Sequence, residues 1–243
     1  VIPSRRLATA AGVCYLVTHV ASIGGLALYG PVLGNPDFVV GPGPDGRVLL
    51  GALFEVVLAL AVVGTAIALF PVVRRYGEGA AFGYLGLRTL EAAVIAVGIV
   101  SLLAMVTLRQ NQGAGTDPAA ARTVGRALLA VHDWTFLLGP NFVLGANTVL
   151  VAHLLYRSGL VPRFIAVLGL VGGPLIFASA IAVLLGLYGQ LSAWGKLAAV
   201  PVFAWELALA FRLIFRGFRT PAAAGPLPVG GDPVPVPVGL PQV

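Results

Sequence analysis

The chain of 243 residues has room for one compact domain, and it is 58% hydrophobic against 10% charged, with a mean hydropathy of +0.97. A water-soluble domain carries about 25% charged residues, so this balance excludes a soluble core and makes a lipid bilayer the expected surroundings. The net charge of +6 comes from 14 Arg and one Lys against 9 acids. Most of these cations stand at the ends of apolar segments, where they suit anionic headgroups and argue against nucleic acid as a partner.

Arg5 and Arg6 precede an apolar run reaching position 29, which is too long for the core of a signal peptide and reads as a retained first span, 7–29. A helix crossing about 30 Å of hydrocarbon takes about 20 residues. Five further stretches qualify: 48–73, 80–108, 132–156, 164–188 and 194–215. The expected fold is therefore all-α, a polytopic bundle of six transmembrane helices over 1–219. The segment 220–243 is rich in Pro and Gly, lacks periodicity and reads as a disordered tail.

Two connections exceed what a turn requires. Residues 31–46, rich in Pro and Gly and holding Asp37 and Asp45, predict an irregular external loop or lid. Residues 119–130, with Arg122 and Arg126 one helical turn apart, predict a short amphipathic helix on the external surface. Gly139-Pro140-Asn141 predicts a break within span four. Outside the spans' centres, nine cations fall on one side (Arg5, Arg6, Arg74, Arg75, Arg157, Arg163, Arg212, Arg216, Arg219) and five on the other (Arg47, Arg109, Arg122, Arg126, Lys196). That bias predicts both termini in the cytoplasm of a cell-membrane protein.

Function is concentrated in the residues that hydrocarbon tolerates least. A charge at the bilayer centre costs roughly 2.5–3.5 kcal/mol on insertion scales, so intramembrane ionisable groups mark candidate sites. Arg88 and Glu91 share one face of span three at i, i+3. Glu55 stands among apolar neighbours in span two, Tyr15 and His19 lie one turn apart in span one, and Glu206 follows Trp205 in span six. His132-Asp133-Trp134 opens span four, with Asn141 further along. The expectation is one outward-facing pocket with Asp133, Glu91, Glu55 and His132 in catalytic roles. Arg88, His19, Tyr15, Trp134, Asn141, Trp205 and Glu206 would bind the substrate. One fixed cation among four acids favours keeping a carboxylate protonated in a dry site, the condition for a general acid.

Each position also has a structural reading. Arg88–Glu91 suits an ion pair between helices, Asp133 and His132 suit an interfacial helix start, and the asparagines suit interhelical hydrogen bonds. His132 and His153 are 21 residues apart in one span, about 30 Å along a helix, so they do not share an ion. No metal and no cofactor are expected. The single Cys14 forms no internal disulfide and reads as a packing residue.

Several segments together resemble a bacterial family of integral membrane proteins known as domain of unknown function 4386. They are Arg6-Leu7-Ala8, Ala11-Gly12-Val13-Cys14-Tyr15-Leu16, Arg88-Thr89-Leu90-Glu91, His132-Asp133-Trp134-Thr135-Phe136, Gly139-Pro140-Asn141 and Tyr156-Arg157-Ser158-Gly159-Leu160-Val161-Pro162-Arg163. The resemblance spans 5–218 and implies a membrane fold with no particular activity.

Three functions compete. An intramembrane acid–base enzyme, such as a cyclase acting on an isoprenoid or lipid, needs a hydrophobic chamber with Asp133, Glu55 or Glu91 as proton donor and Arg88 tuning it or holding an anion. A small-solute or proton-coupled transporter needs a polar route through to the cytoplasm, and the cytoplasmic halves of the spans are almost wholly apolar. A non-catalytic membrane partner or assembly protein would leave the polar cluster structural.

Overall fold

A computed structural model describes residues 4–35, 37–41, 43–113 and 117–219. The proposed tail from 220 onward lies outside the described residues. All regular structure among the described residues is helical: α1 (Arg5–Leu33), α2 (Asp45–Val73, then a 3₁₀ turn Arg74–Tyr76), α3 (Glu78–Gln110), α4 (Pro118–Leu137), α5 (Leu144–Ser158), α6 (Arg163–Leu184) and α7 (Ala193–Arg216). A six-residue π-helical turn, Leu138–Val143, joins α4 to α5 without a break. Counting Pro118–Ser158 as one, six helices are long and apolar enough to cross a membrane.

Chain neighbours are spatial neighbours, and α7 returns to pack on α1, closing a ring. Arg5 seals that closure by donating to the carbonyls of Leu213, Ile214 and Phe215 at the end of α7. A cation there suits the negative end of the helix, where the Leu213 carbonyl also accepts from the Gly217 amide at 3.2 Å. The interior has two apolar layers. One, at the end holding the start of α1 and the end of α7, is built on Leu69, Leu155, Leu209 and Leu213. The other, towards the 31–46 connection, holds Val32, Val48, Leu102 and Val106.

Two expected segments differ from what folds. Residues 119–130 form no separate surface helix; they are the first turns of a continuous helical run 118–158. Pro118 begins it, with Asp117 capping the amide of Ala119. The 31–46 connection is irregular only past Leu33, and its described residues are packed against the bundle. Helix α1 runs through Pro31, and the loop beyond it buries Phe38 and Val39. Arg109 pairs with Asp45, donates from Nε to the Gly41 carbonyl at 2.9 Å and lies over the Phe38 ring. Gln112 donates to the Val39 carbonyl at 2.8 Å, and Arg122 meets Asp37 at 2.8 Å. The two unexpected features fit together, since the α4 start and the end of α3 hold this cap down.

Proline accounts for two local details. Pro31 has no N–H to offer the Ala27 carbonyl four residues back, and Arg47 Nη2 approaches that carbonyl at 3.5 Å. Pro140 likewise leaves the Phe136 carbonyl without its helical donor, and Asn141 Nδ2 donates to it at 3.2 Å. The wide π turn absorbs the proline that the sequence suggested would break the span.

Backbone approach between α6 and α7 rests on Gly172, where an added Cβ would lie 2.7 Å from the amide nitrogen of Val202. Gly172→Ala is expected to lower the unfolding free energy in mild detergent by about 1–3 kcal/mol, an overpacking cost. Gly86→Ala meets nothing within 4 Å, gains only helix propensity, and serves as the control expected to be no less stable than the parent in the same thermal unfolding assay.

Candidate functional site

Arg88 is 1% exposed and reaches from α3 across the ring to α7. Its Nη2 donates to Glu206 Oε1 at 2.8 Å and its Nη1 to Glu91 Oε2 at 3.3 Å. Asn147 Nδ2, from α5, donates to the same Glu91 oxygen at 2.7 Å. Three helices are thereby tied through one guanidinium. The cation lies over the rings of Tyr15 and Tyr84, at 5.4 and 5.9 Å from their centroids. Tyr15 and Tyr84 hydroxyls meet at 3.2 Å, Tyr84 donates on to Thr65, and Trp205 packs edge-on against Tyr15.

His19 adds a fourth element. A carbonyl only accepts, so the 2.8 Å contact from His19 Nδ1 to the Tyr15 carbonyl places a proton on Nδ1. Nε2 then faces Glu206 Oε2 at 3.8 Å.

Above this layer lies a cavity of about 350 Å³. Its polar lining comprises Thr18, His19, Ser22, Tyr29, Glu55, Arg88, Glu91, His132, Thr135, Asn141 and Glu206. Ile23, Leu26, Leu58, Val62, Ile95, Phe136, Leu144, Ile176, Val202 and Phe203 supply apolar wall. At the far side from Arg88, the Tyr29 hydroxyl donates to Glu55 Oε2 at 3.2 Å. Tyr29 also packs edge-on against the His132 ring, 5.7 Å between centroids.

Seven of the eleven residues singled out from sequence line this cavity: Glu55, Glu91, His132, Arg88, His19, Asn141 and Glu206. Tyr15 and Trp205 are fully buried behind it, shaping the floor by holding Arg88. Asp133 and Trp134 do not line it: the Asp133 side chain is 66% exposed and Trp134 is 52% exposed. The reason is helical geometry. Successive residues turn by about 100°, so with His132 directed inward against Tyr29, the next two side chains face out. Asp133 is therefore corrected as a chamber acid, and Trp134 as a chamber wall.

Thr18, Ser22, Tyr29 and Thr135 line it without having been singled out from sequence, and of these Tyr29 touches both Glu55 and His132. A tyrosine near a span's end reads as an interfacial anchor, and only the spacing of Glu55 and His132 in three dimensions reveals it as their shared neighbour. The cap residues Phe38 and Val39 are packed, and neither lines the cavity. Exposed lining sits instead on α1 at Ile23 and Leu26 and on α7 at Phe203. The pocket expected to open at the loop end thus has its exposed rim on the side of the bundle. Among the described residues, no group of three His, Cys, Asp or Glu side chains is placed to hold a metal ion.

The family described as Domain of unknown function (DUF4386) matches residues 10–217. This chain belongs to that family. No curated protein and no solved structure matches it. The matched stretch takes in the Arg88 cluster and all or most of each of the six apolar helices.

Removing the cation at the centre leaves two buried carboxylates facing each other. Arg88→Met is expected to destabilise the protein by about 3–5 kcal/mol, the scale for breaking a buried ion pair. Adding Glu91→Gln and Glu206→Gln to the same chain should recover a large part of the loss. A thermal or denaturant unfolding series in detergent measures this, and an Arg88→Met protein as stable as the parent contradicts it.

Proposed function

We propose that this protein receives a lipophilic molecule in the intramembrane chamber and performs acid–base chemistry on it, with Glu55 as the proton-exchanging group. The observation that carries the reading is the division of labour among the carboxylates. Glu91 and Glu206 are committed to Arg88, whereas Glu55 faces the cavity with a tyrosine hydroxyl as its hydrogen-bond partner. Bonded to a hydroxyl and not to a guanidinium, the Glu55 carboxyl can pass a proton to a substrate and take it back.

In the donor direction, the Glu55 O–H bond breaks and its proton forms a new C–H or O–H bond on the substrate. The carboxylate keeps the electron pair, steadied by the Tyr29 hydroxyl. Return of a proton from the product to Glu55 closes the cycle, giving a net isomerisation or cyclisation with no external reagent. Arg88 takes no direct part, because its paired nitrogens hold Glu91 and Glu206. The isoprenoid or lipid class of substrate fits the apolar walls and a lateral approach past Ile23 and Phe203 from the bilayer. A transport route is less well supported. On the far side of Arg88 the bundle is filled by Tyr15, Tyr84, Trp205, Leu69, Leu155 and Leu209, all buried.

The protein purified in mild detergent from its native membrane is expected to carry a lipophilic compound, and Leu58→Trp, which fills the chamber, should remove it while leaving the protein assembled. In heavy water, wild type should introduce deuterium into that compound and Glu55→Gln should not. A wild type without any bound lipophile, or equal exchange by Glu55→Gln, contradicts the reading. Orientation in a cell membrane follows from the cation bias, with both termini cytoplasmic. A carboxyl-terminal fluorescent-protein fusion should then glow, and an alkaline phosphatase fusion should be silent; the reverse pattern contradicts this orientation.

A further inference from the structure

Resting on that reading of the chamber, we infer that its ligand carries a positive charge in its polar part, so that the site selects lipophilic cations and rejects lipophilic anions. The cavity lining holds three carboxylates, Glu55, Glu91 and Glu206, against one guanidinium, Arg88, with two imidazoles, His19 and His132. With neutral imidazoles the formal balance is one minus three, or −2, while Glu55 is ionised, and one minus two, or −1, while it carries the proton it donates. An anion has no surplus charge to meet in either state.

The guanidinium charge is already engaged by two of these three carboxylates. Nη1 and Nη2 hold Glu91 and Glu206, and Nε, which has no hydrogen-bond partner, is buried away from the cavity surface. His132, 5% exposed, has its buried Nδ1 3.6 Å from Asp133 Oδ1, outside the lining, so a charge on its ring already faces a carboxylate. Glu55, across the cavity from Arg88, is the carboxylate whose charge no guanidinium offsets. Tyr29, Phe136 and Phe203 bring aromatic rings to the same lining. Ring faces attract cations and repel anions, most strongly where water is absent. Two features therefore share one sign: the carboxylate surplus and the aromatic walls. Of the two roles expected for Arg88, tuning the donor or holding an anion, this sign favours the first.

Three chains of equal length test this: decyltrimethylammonium, decanol and decyl sulfate. Binding to the full protein is measured in discs of zwitterionic phosphatidylcholine, with empty discs subtracted for partition into lipid. The expected result is saturable binding of the ammonium at least about tenfold tighter than of the sulfate. Glu55→Gln should weaken ammonium binding by about tenfold and leave decanol binding and thermal unfolding nearly unchanged. Equal or tighter binding of the sulfate, or ammonium binding indifferent to Glu55→Gln, overturns the inference. Saturable binding of decanol alone overturns it too, while sparing the lipophile chamber. Absence of saturable binding for all three overturns both.

Discussion

A guanidinium held in the middle of a lipid-embedded bundle constrains everything around it. Arg88 is displaced from water and from the headgroups, and its cost is offset by two carboxylates, two tyrosine rings and an asparagine that holds one carboxylate in place. Since α3 and α7 are not ring neighbours, the Arg88–Glu206 contact spans the interior. That contact ties the two sides of the ring together and gives the cavity a polar floor. Tyr15, Tyr84 and Trp205 seal the space behind it. A buried pair of this kind is weak support for net stability compared with an apolar filling, but it strongly specifies which helices meet and in what register.

The opposite wall is set by different chemistry. Glu55, Tyr29 and His132 bring an acid, a phenol and an imidazole from α2, α1 and α4 into one neighbourhood. The π turn at Pro140 belongs to this wall: Pro140 and Asn141 both line the cavity, and a continuous run of helix carries His132 on one side of the turn and Asn147 on the other. One helical run thus contributes to both the Glu55 group and the Arg88 group. The cap over the loop end, pinned by Arg109 and Arg122, closes the axial direction and leaves the lipid-facing side as the exposed rim.

Most of the fold was legible because hydrocarbon imposes a length and a polarity on each span. The ends of α2 and α7 fall within a few residues of where the apolar runs stop. Span five overran the helix because Leu185 and Leu187 are apolar, yet Gly186 adopts a left-handed φ of 73° just past the helix end. The α4 start was misread because its amphipathic pattern suits either a surface helix or a helix packed on a cap, and periodicity carries no information on which partner covers it. The candidate site was legible as a set of costly residues, since burial cost is a property of residue type. Its membership was not. Which of His132, Asp133 and Trp134 turns inward depends on rotation about the helix axis, and Tyr29 became visible only through its neighbours.

The most direct test of the account is the environment of the Arg88 side chain in a lipid bilayer. Solid-state NMR on protein labelled with ¹⁵N in arginine and ¹³C in glutamate reads the distance from the Arg88 guanidinium to the Glu206 and Glu91 carboxyl carbons. The account predicts strong short-range couplings to both carboxyls and none to lipid ³¹P. Coupling to lipid phosphate, with no contact to Glu206, would mean that Arg88 reaches for the headgroups and that the chamber has no floor.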